Sequence, residues 1–187
     1  FAVGCGGGHG PSQALFTINL NGPTGENHMP EVDWMYRFPQ FRRIFLQMVQ
    51  RIIEGPLQQN AFLPILDARF RALKANGVNS YSPYAPNSAV DATPIDSWIN
   101  QRRTNLLTQI ATPASAAFAV TTTSYLEVTN NLISIAGTAP LAVKYLRING
   151  RDYPATWTNT AALVPTAWSV RLAMTEGMPK CDPVLLE

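Results

Sequence analysis

The residues best able to do chemistry lie near the start of the chain. Five of the seven positions from Gly4 to Gly10 are glycine, with Cys5 and His9 among them. Glycine at that density either connects flexibly or turns several backbone N–H groups toward one anion. Gly4, Gly6, Gly7 and Gly8 are therefore candidate ligands for a phosphate or oxyanion, with a plain connector as the competing reading. A second set follows at His28, Glu31 and Asp33. Imidazole beside carboxylate suits general-base work, so His9 or His28 with Glu31 or Asp33 is a candidate hydrolytic group. The glycine loop would then donate to the oxyanion. The alternative is two solvated loop histidines, with "EVDWMYRF" a turn that packs Trp34 and Tyr36 onto the next helix.

Arg42-Arg43 and Arg102-Arg103 form a third set. Paired guanidinium groups on neighbouring helices could hold an anion. They equally suit bridges to carboxylates such as Asp67 or Asp96, or a place along the surface. Trp157 and Trp168 offer either a sugar-stacking platform or core packing.

Established motifs narrow the chemistry. The glycine run does not match GxxxxGK[ST], and the first lysine is Lys74. No GxSxG nucleophile elbow occurs. There is no CxxC, and His9 and His28 lack ligand spacing, so neither a metal site nor a cofactor is expected. Cys5 and Cys181 lie near opposite ends, and a bridge between them requires the termini to meet.

These groups need elements to hold them. Residues 1–37 read as an irregular segment, rich in glycine, proline and turn formers. "FPQFRRIFLQMVQRIIEGP" then predicts a helix that starts at Pro39 and stops at Gly55-Pro56. Its apolar stripe reads Phe41, Ile44, Phe45, Met48, Val49 and Ile52. A second helix is predicted through "PILDARFRALKANG", with Leu66, Phe70 and Leu73 inward and Gly77 just past its end. A third runs through "TPIDSWINQRRTNLLTQIA", with Thr93 as N-cap and Ile95, Trp98, Ile99, Leu106 and Ile110 buried.

Beyond residue 113 the period falls toward two. "FAVT", "YLEV" and "LISIAG" are strand candidates, and Asn149-Gly150 sits between alternating runs as a hairpin signal. Trp168, Val170 and Leu172 alternate with Ser169 and Arg171, as in a half-buried strand. The ending "MPKCDPVLLE" is poor strand material, so an exposed sheet edge is expected.

Composition agrees with a folded chain: 46% hydrophobic and 14% charged over 187 residues. Eleven of the fourteen basic residues are arginine, no basic run exceeds two, and net charge is +2, so no nucleic-acid partner is expected. No apolar stretch is long enough for a membrane span.

The succession of "FPQFRRIFLQMVQRIIEGPL", "PILDARFRALKANG", "IDSWINQRRTNLLTQIA" and "ISIAGTAPLAVKYLRINGRDYPATWT" resembles the C-terminal section of secreted bacterial proteins with a CotH-type, spore-coat kinase-like domain. Phe1-Ala2-Val3-Gly4 looks like the tail of that family's Asp-x-Asp-x-x-Phe-Gly motif, with Val3 in place of phenylalanine. The resemblance places the metal-binding aspartate and the nucleotide lobe ahead of Phe1. Phosphoryl transfer needs both, so kinase activity is not expected of these residues. It also implies an extracellular or cell-surface location.

The expected fold is α+β and multidomain. Residues 1–37 form the irregular segment and 38–113 a three-helix subdomain. Residues 114–187 form a small antiparallel β-sandwich of immunoglobulin-like type, without a clear final strand. The expected function is a non-catalytic interaction module that meets a protein or surface partner, or another copy of itself, through its open β edge. The alternative is a small secreted hydrolase of esters, lactones or glycosides using His9 or His28 with Glu31 and Asp33.

Overall fold

The computed structural model describes residues 11–12, 15, 35–78, 93–123, 131–160, 163–173 and 185–186. They form an α+β structure with antiparallel, open sheets. After a helical turn at 35–37 come three long helices: α1 (Pro39–Glu54), α2 (Gln59–Ala75) and α3 (Ile95–Ala114). The strands are β1 (Ala119–Val120), β2 (Leu132–Thr138), β3 (Leu146–Ile148), β4 (Arg151–Tyr153), β5 (Thr156–Thr160), β6 (Val164–Ala173) and β7 (Leu185–Leu186). The chain divides into two compact units, one containing Met48–Ile110 and the other containing 35–47 with the residues from Ala111 onward.

α1 occupies the expected range, but a different face is buried. Leu46, Val49 and Ile53 are buried together with Arg43, whereas Ile44 and Met48 are about half exposed, at 56% and 51%. The apolar residues are numerous enough to define two overlapping stripes. Burial of Arg43 goes with the one that holds Leu46 and Val49.

α2 begins five residues earlier than the proline-led reading and carries Pro64 inside its second turn. Proline there removes one backbone donor. The added turn contains Phe62, the buried residue of this helix, while Leu73 is exposed at 44%. At the other end Val78 N–H reaches Leu73 O at 3.0 Å and Gly77 N–H reaches Lys74 O at 3.1 Å. With Gly77 at φ +81°, this is a Schellman cap, and it places the glycine where the sequence puts it. α3 buries Leu106 and Ile110 as expected, but Ile95 is exposed at 39%. Its last turn runs on through Pro113, whose carbonyl accepts from Leu141 N–H at 3.0 Å.

In the β region one sheet has the order β1-β2-β6-β5 and the other β4-β3-β7. Ile135 and Gly137 on β2 face Val170 and Trp168 on β6, so the period-two pattern sends both sets to one side. Leu146 and Ile148 from the second sheet join Ile135, Trp168, Val170 and Leu172 in one hydrophobic cluster. Phe118 stacks on Trp168 with centroids 6.1 Å apart, and a side chain at Gly137 would collide with the Trp168 indole. Trp168 is 2% exposed, which makes it a core residue and not a stacking platform.

Asn149 and Gly150 have φ of 52° and 72° between β3 and β4. Two left-handed residues in a two-residue loop make a type I′ hairpin, as their identities predict. The C-terminal residues depart from expectation: Leu185–Leu186 pairs antiparallel with Leu146 and Arg147 of β3. Two residues suffice, because neither Pro179 nor Pro183 enters the paired stretch. The strand candidate at 125–128 lies outside the described residues.

Candidate functional site

The most concentrated polar arrangement among the described residues is built around Arg43, on the first half of α1. The side chain is 2% exposed. Its Nη1 donates to Pro165 O at 2.9 Å, and its Nη2 donates to Pro140 O at 2.5 Å and Val143 O at 2.8 Å. The guanidinium lies 3.5 Å from the centre of the Trp157 ring. Gln47, one turn on, donates to Leu141 O at 2.7 Å and Val143 O at 3.2 Å. Two side chains at i and i+4 on one helix thus gather four carbonyls, three of them from the loop between β2 and β3.

The fork geometry explains the choice of residue. Planar guanidinium can donate to several carbonyls while presenting its face to an aromatic ring. Among the described residues Arg43's partners are carbonyls, not carboxylates, so the cation is buried on dipoles alone. Burial pulls its pKa down to about 10, which leaves it protonated at neutral pH. The clamped loop buries Ala139, Leu141 and Val143 and leaves Tyr145 65% exposed.

The other three members of the two arginine pairs also reach main-chain carbonyls. Arg42 Nη1 donates to Tyr36 O at 3.2 Å, and partial burial lowers its pKa. Arg103 Nε donates to Ile53 O at 3.3 Å, a cation placed on the last turn of α1. Arg102 Nη1 reaches Pro11 O at 3.4 Å and Asn105 Oδ1 at 3.5 Å, and burial lowers its pKa as well. Arg42 and Arg43 are adjacent, as their numbering requires, but Arg43's two terminal nitrogens are committed to the protein. That geometry describes a structural clamp more closely than a vacant anion site.

A shallow cleft of about 690 Å³ opens at the start of α2, lined by Gln58, Gln59, Asn60, Leu63, Pro64 and Asp67. Gln58 provides no side-chain cap to this helix. The other candidates, His9, His28, Glu31, Asp33, Gly4, Gly6, Gly7 and Gly8, lie outside the described residues, as do Cys5 and Cys181. Among the described residues no group of three histidine, cysteine or acidic side chains converges as a metal site. No described helix is long and apolar enough to cross a membrane.

Sequence reasoning missed this role of Arg43, which it read as part of an anion site, a bridge to a carboxylate or a surface group. A signal was present. The stripe Leu46, Val49, Ile53 extended back by three residues lands on position 43, where an arginine must either break the pattern or be buried with partners. No family model, curated protein or solved structure matches this chain.

Proposed function

We propose that the chain is a non-catalytic interaction module: a three-helix subdomain resembling the C-terminal part of a CotH-type kinase domain, followed by an immunoglobulin-like β-sandwich. It acts at the bacterial cell surface or outside the cell and engages a protein or surface partner through an open sheet edge. The observation that carries this reading is the strand order, which leaves β1, β5, β4 and β7 at sheet ends. An end strand presents unpaired backbone groups that another chain can extend. β5 is the longest of the four and reads Thr-Trp-Thr-Asn-Thr, with neither the charge nor the proline that usually blocks edge pairing. A core shared by two antiparallel sheets is what a sandwich would have.

Light scattering of the full chain over a wide concentration range tests the self-pairing form. A dimer or larger species is expected, and Thr158→Lys on β5 should shift it toward monomer. A clean monomer at high concentration counts against the reading. Turnover of chromogenic ester or glycoside substrates, lost in His9→Ala and Asp33→Ala variants that stay folded, would replace it with the hydrolase.

A further inference from the structure

β3 is the middle strand of the β4-β3-β7 sheet, and its two sides are covered unequally. On one side β4 pairs with Leu146, Arg147 and Ile148. On the other, Leu185–Leu186 pairs with Leu146 and Arg147, and the ladder does not reach Ile148. We infer that this second side of β3 is an acceptor for an extended, proline-free apolar strand of another protein, and that β7 fills it as a displaceable placeholder. The inference rests on the sheet-edge reading of the module and assigns the partner to one particular edge.

The surroundings of β3 select the place and the kind of partner. Leu146 and Ile148 are buried and belong to the hydrophobic cluster of the β region. Residues directly opposite one another in an antiparallel pair share a face, so an incoming strand sets every second residue on that core side. Apolar residues there gain by burial, and charged ones lose. The opposite edge of the sheet is unsuited to pairing. β4 reads Arg-Asp-Tyr, and its Asp152 is bound to Arg147 at 2.7 Å. Charge of that kind blunts an edge, whereas Leu185 and Leu186 carry none.

The placeholder is also held back from growing. Pro183, just ahead of the paired leucines, has no N–H to give to a longer ladder. β7 keeps its place by its tether, since it joins the end of β6 through residues 174–184. A short tether supplies an effective concentration on the order of millimolar. An incoming strand lacks that advantage but can pair with Ile148 as well. Each further net hydrogen bond is worth about fivefold, so a partner strand of ordinary length overtakes two tethered pairs.

The test is fluorescence anisotropy with a labelled synthetic peptide that copies residues 182–187 with Pro183→Val. It is titrated with the full chain and with full-chain variants, each checked for its β circular-dichroism signal. Binding to the unaltered chain is expected. It should tighten about tenfold in a chain carrying Leu185→Pro and Leu186→Pro, whose β7 has no N–H to offer. It should weaken about fivefold in a Pro183→Val chain, whose own β7 can lengthen. A peptide N-methylated at both leucines should not bind. If the double-proline chain unfolds, the Pro183→Val comparison decides alone. No binding, or an affinity indifferent to the β7 substitutions, would overturn the inference. Binding lost in a folded double-proline chain would overturn it too, by moving the partner to the outer side of β7. Binding lost in Thr158→Lys but indifferent to β7 would overturn it while leaving the β5 edge reading standing.

Discussion

Arg43 shows how much one side chain can decide. A buried cation without a carboxylate is stabilised only where several dipoles converge on it, and here three carbonyls and one indole do so. Arg43→Met keeps much of the apolar stem but leaves those carbonyls without their donor. It is expected to cost about 3 kcal/mol in urea unfolding followed by circular dichroism. Arg43→Lys keeps the charge but cannot both fork to the carbonyls and lie flat on Trp157, so it should recover less than half of that loss. Full stability in both variants would show that the clamp contributes little. The pKa of about 10 fixes the pH dependence. A base whose folded pKa is lowered carries its desolvation cost at every pH below that value. Stability should therefore gain from this group only above pH 10, and stay flat from it between pH 6 and 9.

At the scale of elements, punctuation was readable and orientation was not. Pro39, Gly55-Pro56, Gly77 and Asn149-Gly150 mark the limits of α1, the end of α2 and the β3–β4 turn, because each imposes a backbone conformation through purely local sterics. Gly77→Ala tests this directly. With open space around it, the substitution meets no neighbour, so only the left-handed φ resists. About 1 kcal/mol of local cap stability should be lost, and the Asn76 and Val78 amides should exchange with solvent roughly fivefold faster. Unchanged exchange would mean the cap relaxes at no cost. The alternation of Trp168, Val170 and Leu172 was legible for a related reason, since a strand has only two faces. Helices have more, and α1 buries Leu46 and Ile53 where the sequence favours Ile44 and Met48.

At the scale of the whole molecule, the sheet edges follow from pairings between residues far apart in sequence. Leu185–Leu186 lies on β3, some forty residues away, and covers the Leu146–Arg147 edge. Removing residues 185–187 takes away two ladder pairs and leaves the hydrophobic cluster of Ile135, Leu146, Trp168 and Val170 in place. The shortened chain is expected to keep its β circular-dichroism signal while associating more strongly with concentration, measured by light scattering. If association is unchanged, β7 does not shield that edge.

Local sequence is enough to specify an α+β chain, the limits of α1, the end of α2, the type I′ hairpin and the inward face of β6. All of these rest on interactions within a few residues, where glycine, proline and periodicity act alone. Long-range packing is what makes Arg43 a buried clamp, turns Ile44 and Met48 of α1 outward, and adds Leu185–Leu186 to a sheet. Those outcomes depend on carbonyls and edges supplied by segments about a hundred residues from Arg43 and about forty from Leu185. A guanidinium is polar until such partners arrive, and a two-residue strand is no strand until another offers it a ladder.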